Sequence, residues 1–103
     1  MPKYTVIVSS RADQMLVEHA KFLAQVSPPA ARRMLAEFSE VLDTLESTPL
    51  LYPVEEDYNL PRGVYRKASF AKRYKALFTI KENTVYLDAV LDGRQDNAKR
   101  LQK

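Results

Sequence analysis

The chain has 103 residues, 46% of them hydrophobic and 28% charged, with a formal net charge of +3 and no cysteine. A length of this order buries one modest core and leaves little room for a second module, so one domain over residues 1–103 is expected. The missing cysteine excludes disulfides, thiolate metal sites and a cysteine nucleophile.

The opening residues Met1–Val8 carry too short an apolar run for a signal peptide. No stretch approaches the roughly 20 apolar residues of a membrane span, so the expected location is the cytoplasm. The net charge hides an asymmetry. Residues 1–60 hold 5 Lys/Arg against 9 Asp/Glu, and residues 61–103 hold 11 against 4. A basic C-terminal half suits phosphate or an acidic partner, although a solvated lysine-rich sheet gives the same count.

In chain order, Lys3–Ser9 reads as a strand, because Tyr4 to Val8 are β-branched or aromatic. Its near-continuous apolarity predicts cover on both faces. Ser10 is the candidate cap of a first helix, Arg11–Val26, with Asp13 in its positive first turn. Met15, Leu16, His19, Leu23 and Val26 recur there at helical spacing. Ser27-Pro28-Pro29 breaks that helix and starts the next, since serine caps and proline fits the first helical position. Ala31, Met34, Leu35, Phe38, Val41, Leu42 and Leu45 give the second helix its apolar face through Ser47, with Glu37, Glu40, Asp43 and Glu46 opposite. So short a break predicts an antiparallel helical hairpin.

Thr48–Gly63 reads as a long loop, punctuated by Pro49, Pro53, Pro61 and Gly63. Three strands follow: Val64–Phe70, Tyr74–Ile80 and Thr84–Leu91. Tyr74, Ala76, Phe78 and Ile80 are expected on one face of the second, and Val85, Leu87, Ala89 and Leu91 on one face of the third. Short turns between them predict an antiparallel meander. Asp92–Lys103 reads as a polar tail or a single helical turn. The order β-α-α-β-β-β predicts an α+β fold, with the helical hairpin packed on an antiparallel sheet.

Several site types are missing. Only Gly63 and Gly93 are glycines, so there is no glycine-rich phosphate cradle. The lone His19 sits on the apolar stripe and reads as a core-edge residue; neither a metal site nor a Ser-His-Asp triad has support, and no cofactor is expected. The positive feature is a basic cluster, Arg62, Arg66, Lys67, Lys72, Arg73 and Lys75, interleaved with Tyr65, Phe70 and Tyr74. Guanidinium and ammonium groups bind phosphate oxygens, and aromatic rings stack on bases. An arginine can also stabilise phosphorane charge, and a lysine of lowered pKa can move a proton. Phe70 and Phe78 read as core.

Four segments together resemble the RelE/ParE toxin superfamily of type II toxin–antitoxin systems, which includes plasmid-stabilisation proteins. They are Ser9-Ser10-Arg11-Ala12-Asp13, Ser27 to Arg33, Leu60-Pro61-Arg62-Gly63-Val64-Tyr65-Arg66 with Tyr74-Lys75-Ala76-Leu77-Phe78, and Val90-Leu91-Asp92-Gly93-Arg94-Gln95-Asp96. The resemblance spans about 90 residues. It implies a growth inhibitor held inactive by a small acidic antitoxin. RelE-like members cut mRNA on the ribosome, and ParE-like members poison DNA gyrase. Lys75 stands where an arginine is usual, Phe78 where a tyrosine is usual, and Asp92 where a histidine is expected; no tyrosine or histidine follows Leu91. These departures weaken the nuclease reading, and the closing segment and the long helical hairpin look more like ParE, a toxin acting on gyrase. The alternatives are a ribosome-dependent mRNA endonuclease, with Arg66, Arg73 and Lys75 in catalytic roles, and a non-catalytic binding module. Arg62, Lys67, Lys72, Tyr74 and Arg94 are the candidate contacts to nucleic acid or a protein partner.

Overall fold

In a computed structural model, residues 3–56, 60 and 63–93 are described. Arg62, Arg94 and nearly all of the predicted tail lie outside them. The elements run β1 (Thr5–Val8), α1 (Ser10–Val26), α2 (Pro28–Ser47), β2 (Arg66–Phe70), β3 (Tyr74–Lys81) and β4 (Thr84–Asp92), with a 3-10 turn at Pro49–Leu51. The α+β order is as expected.

The sheet has the order β1-β4-β3-β2. Strands β2, β3 and β4 form the expected antiparallel meander. Strand β1 joins β4 in parallel, so the sheet as a whole is mixed. It can do so because the helical hairpin carries the chain back across one face, the crossover that a parallel pair requires. Thr5 and Ile7 pair with Thr84 and Tyr86 on the face turned away from the helices and are exposed, which corrects the expectation of cover on both faces.

The hairpin starts where the sequence places its breaks. Ser9, one residue before the expected cap, accepts the Ala12 N–H at 3.0 Å and donates to the Asp88 carbonyl at 3.2 Å. One hydroxyl thus ends an orphan helix donor and ties α1 to β4. Ser27 caps α2 through the Ala30 N–H, and Pro28 follows it.

Ala12 and Leu16 of α1, with Met34, Phe38, Val41 and Leu45 of α2, pack on one sheet face. That face supplies Ala68 and Phe70, then Tyr74, Ala76 and Phe78, then Val85, Leu87 and Val90. The expected set on β4 is corrected at one point. Leu77 pairs with Ala89 and Phe78 with Leu87, so Asp88 is an extra residue that bulges out of the ladder. A bulge shifts the two-residue alternation by one, and Val90, not Ala89 or Leu91, therefore continues the helix-covered face.

Strand β2 begins at Arg66, two residues later than expected. Before it, the predicted loop folds back on the strand. Val54 forms a bridge with Arg66, Glu55 N–H donates to the Tyr65 carbonyl at 2.7 Å, and Lys67 N–H donates to the Pro53 carbonyl at 3.0 Å. Residues 53–55 thereby cover part of the β2 edge, which protects it from pairing elsewhere.

Candidate functional site

The hairpin of β2 and β3 carries most of the described basic candidates, and the register separates them. Arg66 pairs with Phe78 and shares the helix-covered face. Its guanidinium donates to the Tyr52 carbonyl at 2.6 Å and pins the loop that precedes β2. Lys67 and Lys75 are on the reverse face, because side chains alternate along a strand. There the buried Glu55 carboxylate receives Lys75 Nζ at 2.5 Å and lies 3.9 Å from Lys67 Nζ.

Arg73 closes the β2–β3 turn. It pairs with the Asp92 carboxylate at 2.9 Å and lies over the Tyr74 ring, 5.0 Å from its centroid. The turn is strained: Ala71 and Lys72 both have left-handed backbones, at φ 50° and 69°. Such residues persist when their surroundings over-determine them. Here Glu37 of α2 accepts the Ala71 N–H at 2.8 Å, and the Arg73 carbonyl accepts the Gly93 N–H at 2.5 Å. Only glycine fits at 93, because a Cβ there would meet the Arg73 carbonyl oxygen at 2.9 Å. Lys72 is exposed at the tip of this turn.

Tyr74, read from sequence as a partner contact, is 2% exposed. Its ring packs against His19 and Phe70, so it has no face available for stacking on a base. His19 is a core-edge residue, as expected, and its Nε2–H donates to the Val90 carbonyl at 2.9 Å. Among the described residues, the Tyr74 hydroxyl and Arg73 Nε are buried without hydrogen-bond partners.

Burial pushes the Glu55 carboxyl up, but the Lys75 hydrogen bond and the charges of Lys75 and Lys67 outweigh it and hold it below its ordinary 4.5. A carboxylate depressed on folding contributes stability that is complete above the unfolded value and fades as pH falls through the folded one. Glu55→Gln should therefore be less stable than the unsubstituted protein at neutral pH, with the gap closing as the pH falls below the ordinary 4.5. Thermal melts across that range check this; a gap independent of pH would contradict it. On the same face Tyr65 donates to Asp88 Oδ2 at 3.0 Å. That bond, then burial and the Asp88 charge, raise the phenol above its ordinary 10.0 despite Arg11.

A second feature escaped the sequence reading. Between α1 and α2 runs an apolar groove of about 380 Å³, lined by Val17, Ala20, Ala24, Ala31 and Leu35, with Lys21 and Arg32 at its rim. Val17 and Leu35 remain 42% and 44% exposed. The signal was present in the alanines at helical spacing, which keep the groove open, but such a stripe is also what core packing looks like. Among the described residues, no group of three or more His, Cys, Asp or Glu side chains is placed to hold a metal ion. Nor is any described helix long and apolar enough to cross a membrane.

Comparison with known proteins agrees with this architecture. The family model described as "ParE toxin of type II toxin-antitoxin system, parDE" matches residues 6–97. A chain from a solved structure, "Chromosomal ParDE TA system from P. aeruginosa", superposes with a TM-score of 0.71 at 12% identity, covering 87% of this chain and 96% of that one. No curated protein sequence matches.

Proposed function

The chain belongs to the ParE toxin family of type II toxin–antitoxin systems, and from that premise we propose that it arrests growth by binding and poisoning DNA gyrase, with no bond-breaking chemistry of its own. The observation that carries this reading is the engagement of the candidate catalytic cations. Arg66 is held by a loop carbonyl, Arg73 by Asp92 and Lys75 by Glu55. Phosphoryl-transfer catalysis needs donors preorganised around one reacting group. These three serve the fold instead, and Arg66 and Lys75 lie on opposite faces of the sheet.

A toxin of this type works with an antitoxin. The groove between α1 and α2 suits the apolar side of an acidic segment, with Lys21 and Arg32 placed for its carboxylates. The expected source is a small acidic protein encoded by the neighbouring reading frame.

Primer extension on a message translated in vitro separates this reading from an mRNA endonuclease. The proposal expects the same ends with and without purified protein. New ends that require ribosomes would replace it with the nuclease reading.

A further inference from the structure

We propose that Glu55 is a specificity-determining residue, a built-in carboxylate that fills a two-lysine phosphate site and makes the reverse face of the sheet refuse nucleic acid. Lys67 faces Leu77 in the ladder and Lys75 faces Ser69, so the two lysines lie diagonally on adjacent strands and one face. Opposite Glu55 oxygens meet them, Oε1 at Lys75 and Oε2 at Lys67. A phosphodiester presents two anionic oxygens to paired cations in the same way.

The carboxylate reaches this place through the backbone. The bonds between residues 53–55 and 65–67 hold that segment against the β2 edge. With Glu55 only 6% exposed, a phosphate must displace an anion that the main chain keeps in position. Asp88, bound by the Tyr65 hydroxyl, adds a second fixed negative charge on this side of the molecule. Polyanion binding draws on the release of counterions from phosphates by unneutralised cations. Two lysines that share the Glu55 carboxylate supply little of it, whatever the basic count of the C-terminal half.

The inference builds on the binding reading, since a nuclease using this face would need its lysines free, but it fails or stands by itself. Glu55→Gln keeps the shape and an acceptor while removing the charge. A short fluorescein-labelled single-stranded RNA should bind this variant at least about tenfold more tightly than it binds the unsubstituted protein, as seen by anisotropy at low salt. The gain should vanish when Lys67→Ala and Lys75→Ala are added. The salt dependence should steepen by about 1.4 in logarithmic slope, the value for two phosphate contacts on a single strand. A folded Glu55→Gln protein that binds RNA no better than its parent would overturn the proposal. Should that variant not fold, titration of inorganic phosphate into the unsubstituted protein decides the point. The proposal expects no saturable shift of the Lys67 and Lys75 side-chain NMR signals, and a saturable shift would overturn it. Ribosome-dependent cleavage by the unsubstituted protein would remove the gyrase reading and leave the Glu55 comparison to be judged on its own data.

Discussion

Phe78→Ala is expected to lower the free energy of unfolding by about 3–5 kcal/mol. The side chain is fully buried on β3 and meets the Tyr52 ring edge-on at 5.8 Å. In the ladder it stands between Arg66 of β2 and Leu87 of β4, at the point where the Asp88 bulge resets the register. Tyr52 is itself held by the Arg66 guanidinium, so the truncation empties a site with polar bonds on one side and packed strands on the other. Little collapse into the space is available, which places the cost in the upper part of the range for such changes. A domain of this size has roughly 5–15 kcal/mol in total, so the variant should lose a large share of its stability. Urea unfolding checks it, and a loss under about 1 kcal/mol would mean that Phe78 does not hold the sheet to its loop.

Arg66→Ala combined with Arg73→Ala should cost about 3–6 kcal/mol, counting roughly 1.5–3 for each bond to a charged group. The two positions are far enough apart along the hairpin for the costs to add. Arg66 fixes the Tyr52 carbonyl, and Arg73 fixes Asp92 while covering the Tyr74 ring. From sequence alone this double substitution looks like a clean removal of nuclease cations. The structure makes it a stability variant, so loss of growth arrest in it would follow from loss of fold. Lys72→Ala is the better probe of the basic turn. The residue is exposed, and its removal should change stability by no more than about 0.5 kcal/mol. Thermal melts of the two variants, run beside growth assays, separate the effects. A double variant as stable as its parent would contradict the partners assigned to these arginines.

The helical hairpin was legible because its signals are local. Ser27-Pro28 caps and starts α2, and Met34, Phe38, Val41 and Leu45 recur at a helical period that nothing in the fold disturbs. The meander was legible from alternation, up to Asp88. A bulge leaves no mark in composition, and the polar Asp88 sits where alternation already expects a polar residue, so the shift to Val90 could not be read. Strand β1 misled through its own residues: Tyr4 to Val8 are as apolar as a covered strand, yet the helices cover only the face of Val6 and Val8.

The candidate site was legible as composition and not as geometry. The cluster from Arg66 to Lys75 is basic in sequence, but its counter-charges come from Glu55 and Asp92, on either side of the hairpin. Pairing at that separation is a property of the sheet, which brings the preceding loop and the end of β4 to the same two strands. The ParE-like assignment rested on the closing segment, the long helical hairpin and the departures from the nuclease pattern, and the match over residues 6–97 bears out the ParE toxin family, with gyrase as its proposed target.

Incubation of the purified protein with DNA gyrase and negatively supercoiled plasmid shows whether gyrase is the target. Treatment with detergent and protease then reveals DNA trapped in the cleaved state. A gyrase poison should yield linear DNA that accumulates with toxin concentration, requires gyrase and disappears when the antitoxin is added first. Unchanged plasmid from a folded protein that still arrests growth would contradict it.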